Sequence, residues 1–255
     1  MRRKTSLDDI DLTQILNSKK EYRYRLKKAQ LQLLLIQQYM YEHRRSAVIA
    51  FEGWDSAGKG GSIRRLVGCL DPRGFEVHPI GPPNYDELAQ PYLQRFWHRL
   101  PKPGKLGIFD RSWYGRVLVE RVEGLCPKSR WRAAYDEING FESMLVDEGV
   151  PVLKFFLHIS PEEQLRRFDV RKKDPFISWK ITEEDWRNRE RWADYEKAIN
   201  TMLSKTSTTR APWIGIASEH KWFARVMVLE ETVLRLEKAF GLDICLPEGW
   251  QSQGD

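Results

Sequence analysis

The stretch Ala47-Val48-Ile49-Ala50-Phe51-Glu52-Gly53-Trp54-Asp55-Ser56-Ala57-Gly58-Lys59-Gly60-Gly61-Ser62 decides the fold. An apolar run enters a glycine-bracketed loop. Ile63, Leu66, Val67 and Leu70 then recur at i, i+3, i+4 and i+7, the stripe of a helix packed on a sheet. In a strand, glycine loop and helix taken in that order, successive backbone N–H groups point inward at phosphate oxygens. A lysine adds a point charge there, and the helix N-terminus adds its positive dipole end. Lys59 is therefore a candidate catalytic cation, and Gly53, Ala57, Gly58, Gly60, Gly61 and Ser62 are candidate phosphate-binding positions. The competing reading is a glycine-rich turn with no ligand.

Position 60 is glycine, where such loops usually carry a Ser or Thr whose hydroxyl holds Mg2+. Ser62 does not replace it, because two residues along a helix turn the side chain by about 200°. Asp55, a carboxylate among phosphate-binding amides, is the candidate metal ligand, with an Asx-type cap as its alternative. The segment Leu106-Gly107-Ile108-Phe109-Asp110-Arg111 reads as an apolar strand ending in a second carboxylate. Asp110 is thus the second candidate metal ligand, at the carboxyl edge of the sheet. Arg111 beside it suits the transferring phosphate, since a guanidinium holds two oxygens at once. Arg116 and Arg121 divide between a substrate track and ion pairs with Glu120 or Glu123.

The chain has 255 residues, enough for one α/β domain with a full core. Its 42 Lys and Arg against 36 Asp and Glu give a net charge of +6, which suits an acidic substrate, nucleic acid or an anionic surface. Three scattered cysteines, Cys69, Cys126 and Cys245, argue against a disulfide framework or a zinc site. The apolar stretches are too short for a membrane span, and Met1-Arg2-Arg3-Lys4 leads into acidic residues, so a cytoplasmic protein is expected.

Residues 1–18 read as a flexible segment, 19–246 as a single domain and 247–255 as a flexible tail. Within the helix expected from Lys19 to Arg45, the residues Leu26, Ala29, Leu33, Ile36 and Met40 form a heptad seam, packed on its own domain or on another subunit. Apolar runs at 47–51, 75–80, 105–109, 152–159 and 213–217 alternate with helical patterns. That alternation predicts a parallel sheet with helices on both faces. A charged excursion from about 160 to 191 is placed as a lid over phosphates, with Arg166, Arg171, Lys172 and Lys180 among its cations and Arg64 extending the basic surface. A solvated charged face is the alternative. Pro83 and Asn84, after the second strand, face the edge where a base could bind.

Four ordered blocks carry a resemblance. They are Phe51-Glu52-Gly53-x-Asp55-x-Ala57-Gly58-Lys59-Gly60-Gly61, Phe109-Asp110-Arg111-Ser112-Trp113-Tyr114, Thr206-Ser207-Thr208 with Ala211-Pro212-Trp213, and Lys221-Trp222-Phe223-Ala224-Arg225. On these the chain resembles polyphosphate kinase family 2 from about Lys19 to Phe240, and Gly60 with the loop aspartate fits that family's pattern. The resemblance implies an α/β three-layer sandwich with a five-stranded parallel sheet, a thymidylate-kinase-like phosphate-loop kinase with a helical lid. It implies transfer of phosphate between inorganic polyphosphate and a nucleotide with Mg2+ or Mn2+, the functional positions being Asp55, Lys59, Asp110 and Arg111. A homo-oligomer, dimer or tetramer, is implied as well. The runs 109–124 and 180–189 most resemble the subgroup that converts AMP to ADP. The lid departs from the family in carrying Ile177 where a lysine is common. Two rivals remain, an ATP-dependent nucleoside monophosphate kinase on the same fold and a non-enzymatic nucleic-acid binder.

Overall fold

Each run becomes a strand; those at 47–51, 105–109, 152–159 and 213–217 are apolar because a parallel sheet covered on both faces needs side chains that are apolar on both sides, whereas the one at 75–80 lies at the sheet edge and is half exposed. The computed structural model describes residues 6–247. In chain order it contains α1 (Lys19–Glu42), β1 (Ala47–Gly53), α2 (Lys59–Leu66), β2 (Phe75–Pro79), α3 (Tyr85–Leu88), α4 (Gln94–Trp97) and β3 (Leu106–Asp110). There follow α5 (Val119–Val122), α6 (Lys128–Asp147), β4 (Val152–His158), α7 (Pro161–Lys173), α8 (Glu183–Glu190), α9 (Trp192–Thr206), β5 (Trp213–Ala217) and α10 (Lys221–Phe240). The sheet order is β2-β3-β1-β4-β5, with every pair parallel.

β1 is central, and Ala47 to Phe51 are fully buried. The chain builds β2 and β3 on one side of β1, then crosses to add β4 and β5 on the other. In an open parallel sheet such a reversal leaves a crevice at the carboxyl ends of the central strands. The glycine loop leaves β1 at that crevice, and Asp110 ends β3 beside it, opposite Phe51 in the register.

α1 lies along α10. Ala29, Leu33, Ile36 and Met40 are buried, Tyr22 stacks on Trp222 at 5.4 Å, and Arg25 donates two hydrogen bonds to Glu230 at 2.9 and 2.7 Å. The heptad seam is covered within its own chain, so the alternative of a subunit contact along it is corrected.

Within residues 6–18, expected as part of a flexible segment, two apolar side chains anchor an otherwise largely exposed strap. Leu7 and Leu16 are buried, the Leu7 N–H donates to Asn200 Oδ1 at 2.9 Å and the Leu16 N–H donates to His220 Nδ1 at 3.1 Å. Ile10 lies against Gly215 of β5, where an added Cβ would come within 2.6 Å of Ile10 Cδ1. The glycine in that strand makes room for the strap. Most of the expected tail, residues 248–255, lies outside the described residues. Among the described residues no helix is long and apolar enough to cross a membrane.

Candidate active site

The loop begins where β1 runs closest to β4. Gly53 has φ +145°, and a Cβ there would sit 2.5 Å from the carbonyl oxygen of Leu157. Only glycine satisfies both the backbone and the neighbour. At the other end of the loop Lys59 folds back, its ammonium donating to the carbonyls of Gly53 at 2.6 Å and Trp54 at 3.1 Å. Burial lowers the Lys59 pKa, and the charge of Asp55 pulls it the other way.

At the end of β3, Arg111 adopts φ 65° while its N–H donates to the Phe51 carbonyl at 3.0 Å. A left-handed arginine costs roughly 1–3 kcal/mol, which surrounding structure must offset. The turn aims its guanidinium at Asp55, with Nη2 3.1 Å from Oδ1. Asn188 of α8 donates to the other oxygen, Oδ2, at 3.0 Å. The Asp110 carboxylate has no hydrogen bond or ion pair among the described residues. A Cβ on Gly60 would lie 3.8 Å from its Oδ2, so the missing side chain at 60 leaves Asp110 free to face the loop. Beneath these groups Glu52 is buried and accepts from the Ser112 hydroxyl at 2.8 Å. Burial raises its pKa, while the Ser112 bond and the charges of Lys59 and Arg111 oppose the shift.

The donor set fits Mg2+. That ion binds through one or two carboxylates and takes its remaining ligands from phosphate oxygens and water. Asp55 and Asp110 supply such a pair, and among the described residues no group of three or more His, Cys, Asp or Glu builds a cage without substrate.

A cavity of about 730 Å3 opens at the same edge, with Asp55 and Arg111 in its lining. Ile80, Pro82 and Pro83 line it on the β2 side, together with Arg116 and Glu120. Pro83 is thus where a base-binding residue was expected. Asn84 is not, because its side chain caps α3 by accepting from the Glu87 N–H at 2.8 Å. Arg116 reaches the cavity, paired with Glu120 at 2.6 Å and lying 4.4 Å over the Tyr92 ring. Arg121 turns away, donating to the Tyr135 hydroxyl at 2.9 Å and covering Trp131 at 4.5 Å, so its place on a substrate track is corrected.

The lid cations are placed less centrally than the sequence suggested. Arg166 is held by Glu163 at 2.6 and 2.7 Å. Arg171, Lys172 and Lys180 do not line the cavity, and Lys180 lies 5.2 Å over Trp179. The lid side chains that do reach the site are Gln164 of α7 and Glu184, Arg187 and Asn188 of α8. Arg187 and Arg191 both pair with Glu123, at 3.3 and 3.4 Å. At the lid's far hinge Trp192 stacks on the loop's own Trp54 with ring centroids 3.5 Å apart, and the Trp54 indole N–H donates to His158 Nδ1 at 2.8 Å.

On the opposite side of the loop, Arg225 of α10 lies over the first turn of α2, 3.7 Å from where a Gly61 Cβ would be. Burial lowers the pKa of Lys221, and Arg167, Arg166 and Arg225 push it further down; burial and Arg65 do the same to Arg225. Neither residue forms an ion pair among the described residues. Arg64 stands exposed beside this row. Lys221 and Arg225 lay in a quoted motif without a role, and their convergence with α2 is visible only once α10 is folded over it.

Below Arg111 the turn is pinned by a buried network. Trp113 Nε1 and the Tyr114 hydroxyl donate to Glu142 Oε1 at 3.1 and 2.7 Å. Lys154, fully buried, donates to Glu142 Oε2 at 2.7 Å, to the Tyr114 hydroxyl at 2.9 Å and to the Thr206 carbonyl at 2.7 Å. Trp213 Nε1 donates to Thr206 Oγ1 at 2.8 Å. Thr206 and Trp213, singled out in the sequence without a role, brace the network beneath the Arg111 turn.

A parallel sheet of order 2-3-1-4-5, a glycine loop at its central strand, an Asp-Arg pair on the neighbouring strand and a helical excursion over both define a phosphate-loop kinase fold. The family model described as polyphosphate kinase 2 (PPK2) matches residues 16–240, and the chain belongs to that family. It is 52% identical over 242 residues to the polyphosphate:AMP phosphotransferase of Pseudomonas syringae pv. tomato, covering 94% of this chain and 48% of that protein. It is 38% identical over 215 residues to NDP-polyphosphate phosphotransferase 3 of Ruegeria pomeroyi, covering 84% of this chain and 71% of that one. The crystal structure of polyphosphate kinase 2 from Arthrobacter aurescens TC1 superposes with a TM-score of 0.87 at 30% identity, covering 98% and 89% of the two chains. The chain therefore spans about half the length of the Pseudomonas relative, 48%.

Proposed function

We propose that the chain transfers the terminal phosphoryl group of inorganic polyphosphate to a nucleotide, with AMP as the preferred acceptor and ADP as product. One observation carries the reading: two different surfaces meet at the loop. On the α10 side lies a row of cations without ion-pair partners, Lys221 and Arg225 with Arg65 beside them, which suits a long polyanion. On the other side lies a roomy cavity in which apolar side chains such as Ile80, Pro83 and Phe96 alternate with charged groups of both signs, which suits a nucleotide's base and phosphate. An ATP-dependent kinase would need a base pocket on the donor side, where this chain has cations. The Pseudomonas relative's name supports AMP as acceptor.

In this reading the loop amides and Lys59 hold the terminal phosphate, and Lys59 exchanges its two carbonyl partners for phosphate oxygens. Arg111, with half its guanidinium exposed, turns from Asp55 to neutralise charge on the group in flight. Asp55 and Asp110 would hold Mg2+, which when bound supplies positive charge across the phosphate oxygens. The acceptor phosphate has a second pKa near ~6 and is mostly ionised at neutral pH, so no strong general base is required. The reading places the enzyme in the cytoplasm as a homo-oligomer whose contact is not the α1 seam. Light scattering on the purified chain measures its size.

The test is a product assay with Mg2+ and polyphosphate, supplying AMP or ADP in separate reactions without ATP. ADP made from AMP faster than ATP from ADP is the expected result. A faster reaction with ADP moves the acceptor assignment, and product only with ATP as donor sinks the polyphosphate reading. Asp55→Asn should abolish turnover with the fold intact; retained turnover with ordinary Mg2+ dependence removes Asp55 from the metal site.

A further inference from the structure

A peptide unit carries its N–H and its C=O on opposite sides. A loop that turns its amides inward to an anion must therefore turn its carbonyls outward, into protein where each needs a donor. Here the donors come from the root of the lid. Gln164 Nε2 of α7 donates to the Asp55 carbonyl at 3.2 Å. Arg167 Nη1 donates to the carbonyls of Ser56 and Ala57, both at 3.0 Å, and the Ser218 hydroxyl adds a bond to Ala57 at 2.6 Å. Arg167 continues across the gap, with Nη2 donating to the carbonyls of Ser218 at 2.5 Å and Glu219 at 3.0 Å, and Nε donating to Glu163 at 2.5 Å.

A guanidinium has five N–H groups. Arg167 makes five hydrogen bonds, all to protein, and is 3% exposed. It has no N–H left for a phosphate. We propose that Arg167, assisted by Gln164, is a positioning residue that fixes the carbonyls of residues 55–57 outward and so keeps the Ser56 and Gly58 amides aimed at the donor phosphate, the Ala57 N–H being taken by the Trp54 carbonyl at 3.1 Å. Ser56, one of the two residues it grips, has φ 62°, a strained conformation that reverts without a partner for its carbonyl. A lysine cannot replace it, having three donors on a point charge rather than a fork spanning two loops. α7 leads into α8, whose Asn188 holds Asp55 from above, so the loop is gripped from both ends of the lid.

The inference rests on the proposal that the loop binds donor phosphate, and the test separates the two. Inorganic tripolyphosphate with Mg2+ is titrated calorimetrically into the full chain and into its Arg167→Met, Arg167→Gly and Gln164→Leu variants, with circular dichroism checking the fold. Leaving buried carbonyls unpaired should weaken tripolyphosphate binding by about tenfold or more in Arg167→Met. The KM for polyphosphate should rise in step while the KM for the nucleotide stays. Added guanidinium should restore binding to Arg167→Gly, and sodium chloride at equal ionic strength should not. No binding by the parent overturns the functional reading and this inference with it. Binding by the parent that is unchanged in Arg167→Met, or a loss that guanidinium does not reverse, overturns the inference alone. If the Arg167 variants do not fold, Gln164→Leu decides, with weaker binding supporting the inference and unchanged affinity overturning it.

Discussion

At position 60 a single absent side chain leaves the Asp110 carboxylate uncovered beside the loop. A Cβ there would lie in ordinary contact with Asp110, 3.8 Å from Oδ2, so Gly60→Ser should fold with a melting temperature close to the parent's. Asp110→Asn, which keeps the shape and loses the charge of the carboxylate proposed to hold the cation, should raise the Mg2+ concentration giving half-maximal rate several-fold, and an unchanged Mg2+ titration removes Asp110 from the proposed metal site. Arg121→Gln is the converse case. It loses the Tyr135 bond and the Trp131 stack, so stability should fall by about 1 kcal/mol in urea unfolding while kcat stays at the parent value. A drop in kcat would put Arg121 back on the substrate track. The sequence showed which types of residue serve the site but not which arginine of a run points inward. Arg166 and Arg167 are adjacent, about 100° apart on the helix. Only the phase of buried Phe168 marks Gln164 and Arg167 as the inner face, a signal easily lost in a stretch rich in charge.

At the scale of elements, β1, β3 and β4 were legible because buried parallel strands write themselves as short apolar runs, while the edge strand β2, with Glu76 and His78 in a half-exposed segment, carries a weaker signal. The expected 75–80 and 152–159 correspond to Phe75–Pro79 and Val152–His158. The strap of residues 6–18 was not legible. Its anchors Leu7 and Leu16 are isolated apolar residues in polar sequence and have no period to detect. Hinge and loop meet at Trp54, between Trp192 and His158, and that junction carries a pH dependence. Burial holds the His158 imidazole below its ordinary 6.5, against the pull of Glu219 and Asp8. Its neutral Nδ1 accepts from Trp54, so protonation favours the unfolded chain, which takes up its proton at the higher pH. The contribution of His158 is thus complete above about pH 6.5 and is withdrawn as pH falls from there through the folded pKa. In His158→Gln the amide oxygen still accepts from Trp54, and the loss of stability between neutral pH and about pH 5 should be shallower. Urea midpoints measured across that range check it, and a variant with the parent's acid slope assigns the loss to other groups.

Across the whole molecule, the Lys154–Glu142 pair joins the turn at residues 111–114 to β4, α6 and the end of α9. Burial lowers the Lys154 pKa and Glu142 opposes the shift. Lys154→Met leaves a buried carboxylate without its cation and should cost about 3–5 kcal/mol in unfolding free energy. Adding Glu142→Gln removes that charge but keeps an acceptor for Trp113 and Tyr114, so the double variant should be more stable than Lys154→Met alone. Additive losses in the double-mutant cycle would mean the two residues act independently. The pairing of α1 with α10 reaches beyond the finished molecule into its synthesis. Residues 221–240, which cover residues 19–42, are synthesised long after them. At about 5–20 residues per second the apolar stripe of Ala29, Leu33, Ile36 and Met40 waits on the order of 10–40 s for its cover. For that interval the nascent chain exposes a sticky helix, a target for chaperones and for neighbouring nascent chains, until α10 is made.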